Sequence, residues 1–106
     1  MIVRTPPPPP SRVGKRGAAS FPPDNHRRGF TVTGEIRRRQ SKTPHKLICL
    51  ERFRWDSGRT EFRLAYYIIG KKGRARGRWV WGQYATMIPS ADLRYIMREA
   101  RRLGWI

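Results

Sequence analysis

The sequence predicts an α+β domain: an antiparallel meander of three to four strands, then one C-terminal helix, preceded by a disordered, basic, proline-rich tail. Three observations predict it. Ten of the twelve aromatics lie in residues 47–106, in stretches whose apolar positions alternate with a period of two. An apolar stripe at helical spacing follows Ser90. Eight of the nine prolines lie in residues 1–46, with only Phe21 and Phe30 as aromatics. That composition offers little apolar surface to offset the entropy of ordering.

The chain therefore divides into a Pro/Arg-rich tail at 1–28, a basic arm with a weak strand signal at 29–46 and a folded domain at 47–106. Pro6 to Pro10 form a run suited to a short polyproline helix. Residues 47–55 read as a strand, and Asp56-Ser57-Gly58-Arg59 as a hairpin turn. Residues 60–69 read as the next strand. Phe62, Leu64, Tyr66 and Ile68 point one way; Glu61, Arg63, Ala65, Tyr67 and Ile69 point the other. Residues 70–77 (GKKGRARG) are a glycine-punctuated loop with four bases and no acid. Residues 78–88 read as a third strand, with Trp79, Trp81, Gln83, Ala85 and Met87 on one face and Val80, Tyr84 and Ile88 on the other.

Pro89 ends that strand. Ser90 suits a helix N-cap, and Asp92 suits the positive end of the helix dipole. Leu93, Ile96, Met97, Ala100 and Leu103 make the stripe, and Gly104 fits the left-handed position beyond the helix. One helix covers one face of a sheet, yet both faces carry large side chains. The second face needs a second copy of the chain, the N-terminal segment or a ligand.

The charge points to a polyanion. There are 24 Lys+Arg against 7 Asp+Glu, a formal net charge of +17, where about 2 to 8 charges suffice to keep a small domain soluble. Arginine outnumbers lysine 19 to 5, which suits phosphate forks and stacking on bases. The candidate stacking groups are Tyr67, Trp79 and Trp81, with Trp55 as a further one. The candidate phosphate contacts are Arg63, Lys71, Lys72, Arg74, Arg76 and Arg78, with Arg37, Arg38 and Arg39 in the arm.

Other chemistries find little support. No phosphate-cradling loop, dinucleotide fingerprint or zinc-ligand set is present, so no cofactor or metal is expected. His26 and His45 fall in the low-complexity half, and the lone Cys49 reads as a packed thiol. A non-enzymatic protein is expected, cytoplasmic by its cysteine usage and with no bilayer-length apolar run.

The order of strand, lysine-glycine-rich hairpin, strand and post-proline helix over residues 47–103, mainly RLAYYIIGKKGRARGRWVWGQYATMIPSADLRYIM, resembles the single-stranded-DNA-binding coactivator family called positive cofactor four. The resemblance implies a curved sheet that holds melted DNA, a helix that makes a homodimer, and a place in transcription regulation. It puts Arg63, Lys71, Lys72, Arg76, Trp79 and Trp81 near DNA. The chain carries Trp81-Gly82-Gln83-Tyr84 where the family has a lysine-glycine-apolar run.

The leading expectation is thus a module that holds single-stranded or melted DNA on an aromatic, arginine-rimmed sheet face. Two others stand beside it: a structural or ribosome-associated RNA-binding protein using the basic arm, and an interaction module for an acidic protein.

Overall fold

The computed structural model describes residues 6–82 and 85–106. It is an α+β fold in which five strands run as an antiparallel meander in sequence order: β1 (Arg16–Phe21), β2 (His26–Arg39), β3 (Lys46–Trp55), β4 (Thr60–Ile69) and β5 (Trp79–Trp81). One helix, α1 (Ser90–Arg102), follows.

The strand count corrects the expectation of three or four, and it does so inside the presumed tail and arm. β2 extends from within the first 28 residues through the basic cluster, and β1 pairs with it from Arg16↔Thr31 to Phe21↔His26. Averaged composition hid this hairpin. Its turn is chemically specified: the Asp24 carboxylate accepts the His26 N–H at 2.8 Å, and Asn25 takes the left-handed conformation at φ 52°. Small residues in β1 are part of the packing. A Cβ at Gly17 would lie 2.5 Å from the Phe30 ring, so glycine lets that ring lie across the edge strand.

A bulge sorts β2 onto two faces. The register runs Val32↔Phe53 and then Gly34↔Arg52, leaving Thr33 as the extra residue. Beyond it, Gly34, Ile36 and Arg38 share a face with Ile48, Leu50 and Arg52 of β3. Before it, Phe30 and Val32 join Phe53 on the opposite face, where they form one core cluster.

On the first face α1 lays Ile96 and Ala100 on Ile36 and Ile48. The C-terminal Trp105 folds back over Gly34, beneath the Arg52 guanidinium at 4.9 Å. The helical stripe is only half used: Leu93, Met97 and Leu103 are each at least 40% exposed, as are Phe62 and Leu64 of β4 to a similar degree. Ser90 is the first helical residue and not the cap; Pro89 occupies that position without a side-chain bond. Asp92 is fully buried and ties the helix to the sheet. It accepts from Arg38 Nε at 2.9 Å, Ser41 N–H at 2.9 Å and Ser41 Oγ–H at 2.7 Å.

β5 is shorter than the strand expected over 78–88. Gly82 donates its N–H to the Tyr66 carbonyl at 2.7 Å and lies against the Tyr66 ring, where any side chain would collide. The chain leaves the sheet there, and residues 85–89 run without strand structure to the helix. Gln83 and Tyr84, assigned above to that strand, lie outside the described residues. No helix among the described residues is long and apolar enough to cross a membrane.

Candidate nucleic-acid interface

The face turned away from the helix gathers the predicted rings. The register places Tyr67 opposite Trp81 and Ile69 opposite Trp79, so Tyr67, Trp79 and Trp81 share one surface. Tyr67 is buried and meets Trp81 edge-on at 5.1 Å between centroids; the two indoles are half-buried. Together they pack over Leu47 and Cys49. Arginines frame each ring: Arg37 over Tyr67 at 5.6 Å, Arg39 over Trp79 at 5.6 Å, and Arg63 over Trp81 at 5.0 Å.

Between β4 and β5 the basic loop forms a tight tip. Gly73 and Gly77 both take positive φ, 60° and 74°, around a single 3-10 turn at Gly73–Ala75. Gly70 N–H bonds the Arg78 carbonyl at 2.9 Å, and Gly77 N–H bonds the Gly70 carbonyl at 2.9 Å. These bonds close the loop on itself, and Lys71, Lys72, Arg74, Arg76 and Arg78 are all exposed.

Their isolation follows from how the acids are used. Every one of the seven carboxylates is taken by arginine: Asp24 by Arg28, Glu35 by Arg37, Glu51 by Arg12 and Arg63, Asp56 by Arg16, Glu61 by Arg59, Asp92 by Arg38 and Glu99 by Arg102. Eight arginines are thus neutralised, leaving fifteen bases without a carboxylate partner among the described residues. Five of those fifteen stand in the tip.

The predicted contacts separate accordingly. The tip residues, Arg39, Trp79 and Trp81 form one contiguous region. Arg63 is tied to buried Glu51 at 2.6 Å, and Arg37 to Glu35 at 3.3 Å. Arg38 is on the other face, held by Asp92 and stacked over Tyr95 at 4.5 Å. Alternation along β2 sends Arg38 away from its two neighbours. It is the one predicted phosphate contact that the fold separates from the rest, and Tyr67, read above as a stacking group, is buried beneath Trp81 and unavailable for stacking.

A side-chain cluster that sequence reading missed lies beneath the rings. Glu35, Cys49 and Glu51 each bring one ligand-type atom within 4.8 Å of the others. Burial, then the Glu51 and Glu35 charges, push the Cys49 thiol up to about 12. A protonated thiol is a poor metal ligand, and three guanidinium groups already offset the two carboxylates. This is an internal ion network, and the direct pairing Glu35↔Glu51 across β2 and β3 explains why several arginines converge there.

The sequence left open which of three covers lies over the rings. The N-terminal segment crosses them: Trp79 Nε1–H donates to the Pro6 carbonyl at 3.2 Å, Arg37 donates to the carbonyls of Pro9 and Pro10, and Arg12 stacks on Trp81 at 4.9 Å. Gly14 and Lys15 then join Val32 through N–H···O bonds of 2.8 and 2.9 Å. Of the three covers that the second face could take, the described residues supply the N-terminal segment. No family model, curated protein or solved structure matches this chain.

Proposed function

We propose that the protein is a non-enzymatic nucleic-acid-binding module that grips phosphates with the β4–β5 tip, with single-stranded or locally melted DNA as its partner. One observation carries the reading: five exposed bases without a carboxylate partner among the described residues, within positions 71–78, lead directly into Trp79 and Trp81. Arginine forks and lysines along a glycine turn suit a phosphate backbone, and adjacent indoles suit base stacking at about 1–3 kcal/mol per base. The covering segment sets an order of events. Phosphates reach the tip unhindered, whereas bases reach the indoles only as residues 6–12 move off them.

The test is binding of the full chain to labelled single-stranded DNA, duplex DNA and RNA of equal length, each at two salt concentrations. The full chain is needed because β1 and β2 belong to the sheet. The expected result is tightest binding to single-stranded DNA, weakening steeply with salt. Tighter binding to RNA would favour the RNA reading, and no binding to any of the three would refute the proposal.

A further inference from the structure

The segment over the indoles is docked with a period. Pro6, Pro9 and Arg12 are half-buried, while Pro7, Pro8, Pro10 and Ser11 are exposed. A contact every third residue is the signature of a polyproline II helix lying along a surface, because that helix has three residues per turn. The sequence at the contacts is P-x-x-P-x-x-R.

Each contact has a matching receptor. An indole N–H, from Trp79, takes the Pro6 carbonyl; polyproline helices expose such carbonyls because they make no internal hydrogen bonds. The Arg37 guanidinium takes two successive carbonyls, those of Pro9 and Pro10. Arg12 lies between a ring and an acid, stacked on Trp81 and 3.6 Å from the Glu51 carboxylate. Glu51 Oε2 is buried and accepts no hydrogen bond, so it is a carboxylate oxygen oriented toward the segment's one charge. Aromatic walls are what proline-rich recognition grooves in general provide, and here an indole donor and an acid add a carbonyl contact and a partner for the flanking base.

We infer that the Trp79–Trp81 groove is a polyproline-reading site, specific for a P-x-x-P-x-x-R segment, which in the free protein is filled by the chain's own residues 6–12. Its ligand class is a proline-rich basic peptide, bound in cis at an effective concentration on the order of millimolar. The inference is independent of the nucleic-acid proposal, since no polynucleotide takes part in it or in its test.

The experiment follows the Trp79 indole N–H by NMR in the 15N-labelled full chain and in a full-length Pro6→Ala/Pro9→Ala/Arg12→Ala variant. The probe is a synthetic peptide of residues 6–15. The expected result is that the variant shifts the Trp79 indole resonance and that the peptide returns it toward the wild-type position, saturably. Wild type should need at least about tenfold more peptide for a comparable effect, because its tethered segment competes. A peptide with alanine at the two contact prolines but with its arginine kept should be without effect. Three outcomes would overturn the inference: an indole resonance that is the same in wild type and variant, a peptide that restores nothing in the folded variant, or an alanine peptide that works equally well. If the variant fails to fold, cross-relaxation between proline ring protons and the Trp79 and Trp81 indoles in the unaltered chain decides. Its presence supports the site and its absence rejects it.

Discussion

Replacing Lys71, Lys72, Arg74, Arg76 and Arg78 together by serine removes the exposed charge of the tip and keeps the glycines that shape it. None of the five side chains has a partner among the described residues, so stability should change by no more than roughly 0.5 kcal/mol per site. Binding should change a great deal. Each phosphate contact on a single strand contributes about −0.7 to the slope of log K against log salt. Five contacts therefore contribute roughly −3.5, which over a fourfold rise in salt is a loss of about 100-fold. The wild type should show at least that loss, and the variant should lose most of the slope along with its low-salt affinity. The assay is fluorescence anisotropy of a labelled oligonucleotide across a salt series, with urea unfolding of both proteins as the folding control. Arg94, Arg98 and Arg101, exposed on the outer face of α1, serve as a control set of three charges; serine there should leave the slope nearly unchanged. A tip variant that retained the wild-type slope would refute the reasoning, whatever its affinity, because the counterions would then be released elsewhere.

Trp81→Ala should destabilise the domain by about 2–3 kcal/mol, less than the ~3–5 of a fully buried aromatic, because the ring is half-buried over Tyr67; urea unfolding checks this. Gly34→Ala should cost about 1–3 kcal/mol, since its Cβ would lie 2.6 Å from the Trp105 ring, and should alter Trp105 emission before global unfolding. Asp92 is pushed up by burial, but the Ser41 N–H, the Ser41 hydroxyl and Arg38 outweigh that and hold its carboxyl below the ordinary range. Its stabilisation is therefore complete above the unfolded carboxylate pKa near ~4 and is lost as pH falls through the lower folded value. Accordingly Asp92→Asn should be less stable than wild type at pH 7, with the gap closing below about pH 4 in denaturation series. Cys49 should resist thiol reagents at neutral pH in the folded chain and react fully in denaturant, as a mass shift would record.

Where periodicity was strong, the sequence was readable almost to the residue. The strand expected at 60–69 is β4, with Phe62 and Leu64 on one face and Arg63 and Tyr67 on the other as alternation required. The strand at 47–55 begins one residue earlier, at Lys46. The helix starts at Ser90, one residue earlier than an N-cap there would put it, and Gly104 takes φ 75° just beyond it. The first hairpin was not readable, because its strands are stabilised from outside. Arg16 reaches Asp56 at 2.7 Å, and Phe21 meets Trp55 edge-on at 6.0 Å, both long-range contacts that no local pattern encodes. At the site, the tip and its indoles were legible from composition. The ion partners of Arg37, Arg38 and Arg63 were not, because they depend on which strands become neighbours. The three-residue spacing of Pro6, Pro9 and Arg12 was in plain view, but its meaning rests on Trp79, far along the chain.

The complete use of carboxylates on internal arginines has a further effect on how the molecule meets its surroundings. With no acid to spare, its outer potential has no counterweight that a modest drift in acidity could switch. Arginine stays ionised throughout the neutral and mildly basic range, and the chain holds only two histidines. Attraction to any polyanion should therefore be almost flat from about pH 6 to about pH 9. Control of that attraction falls instead to ionic strength and to whatever moves the proline segment.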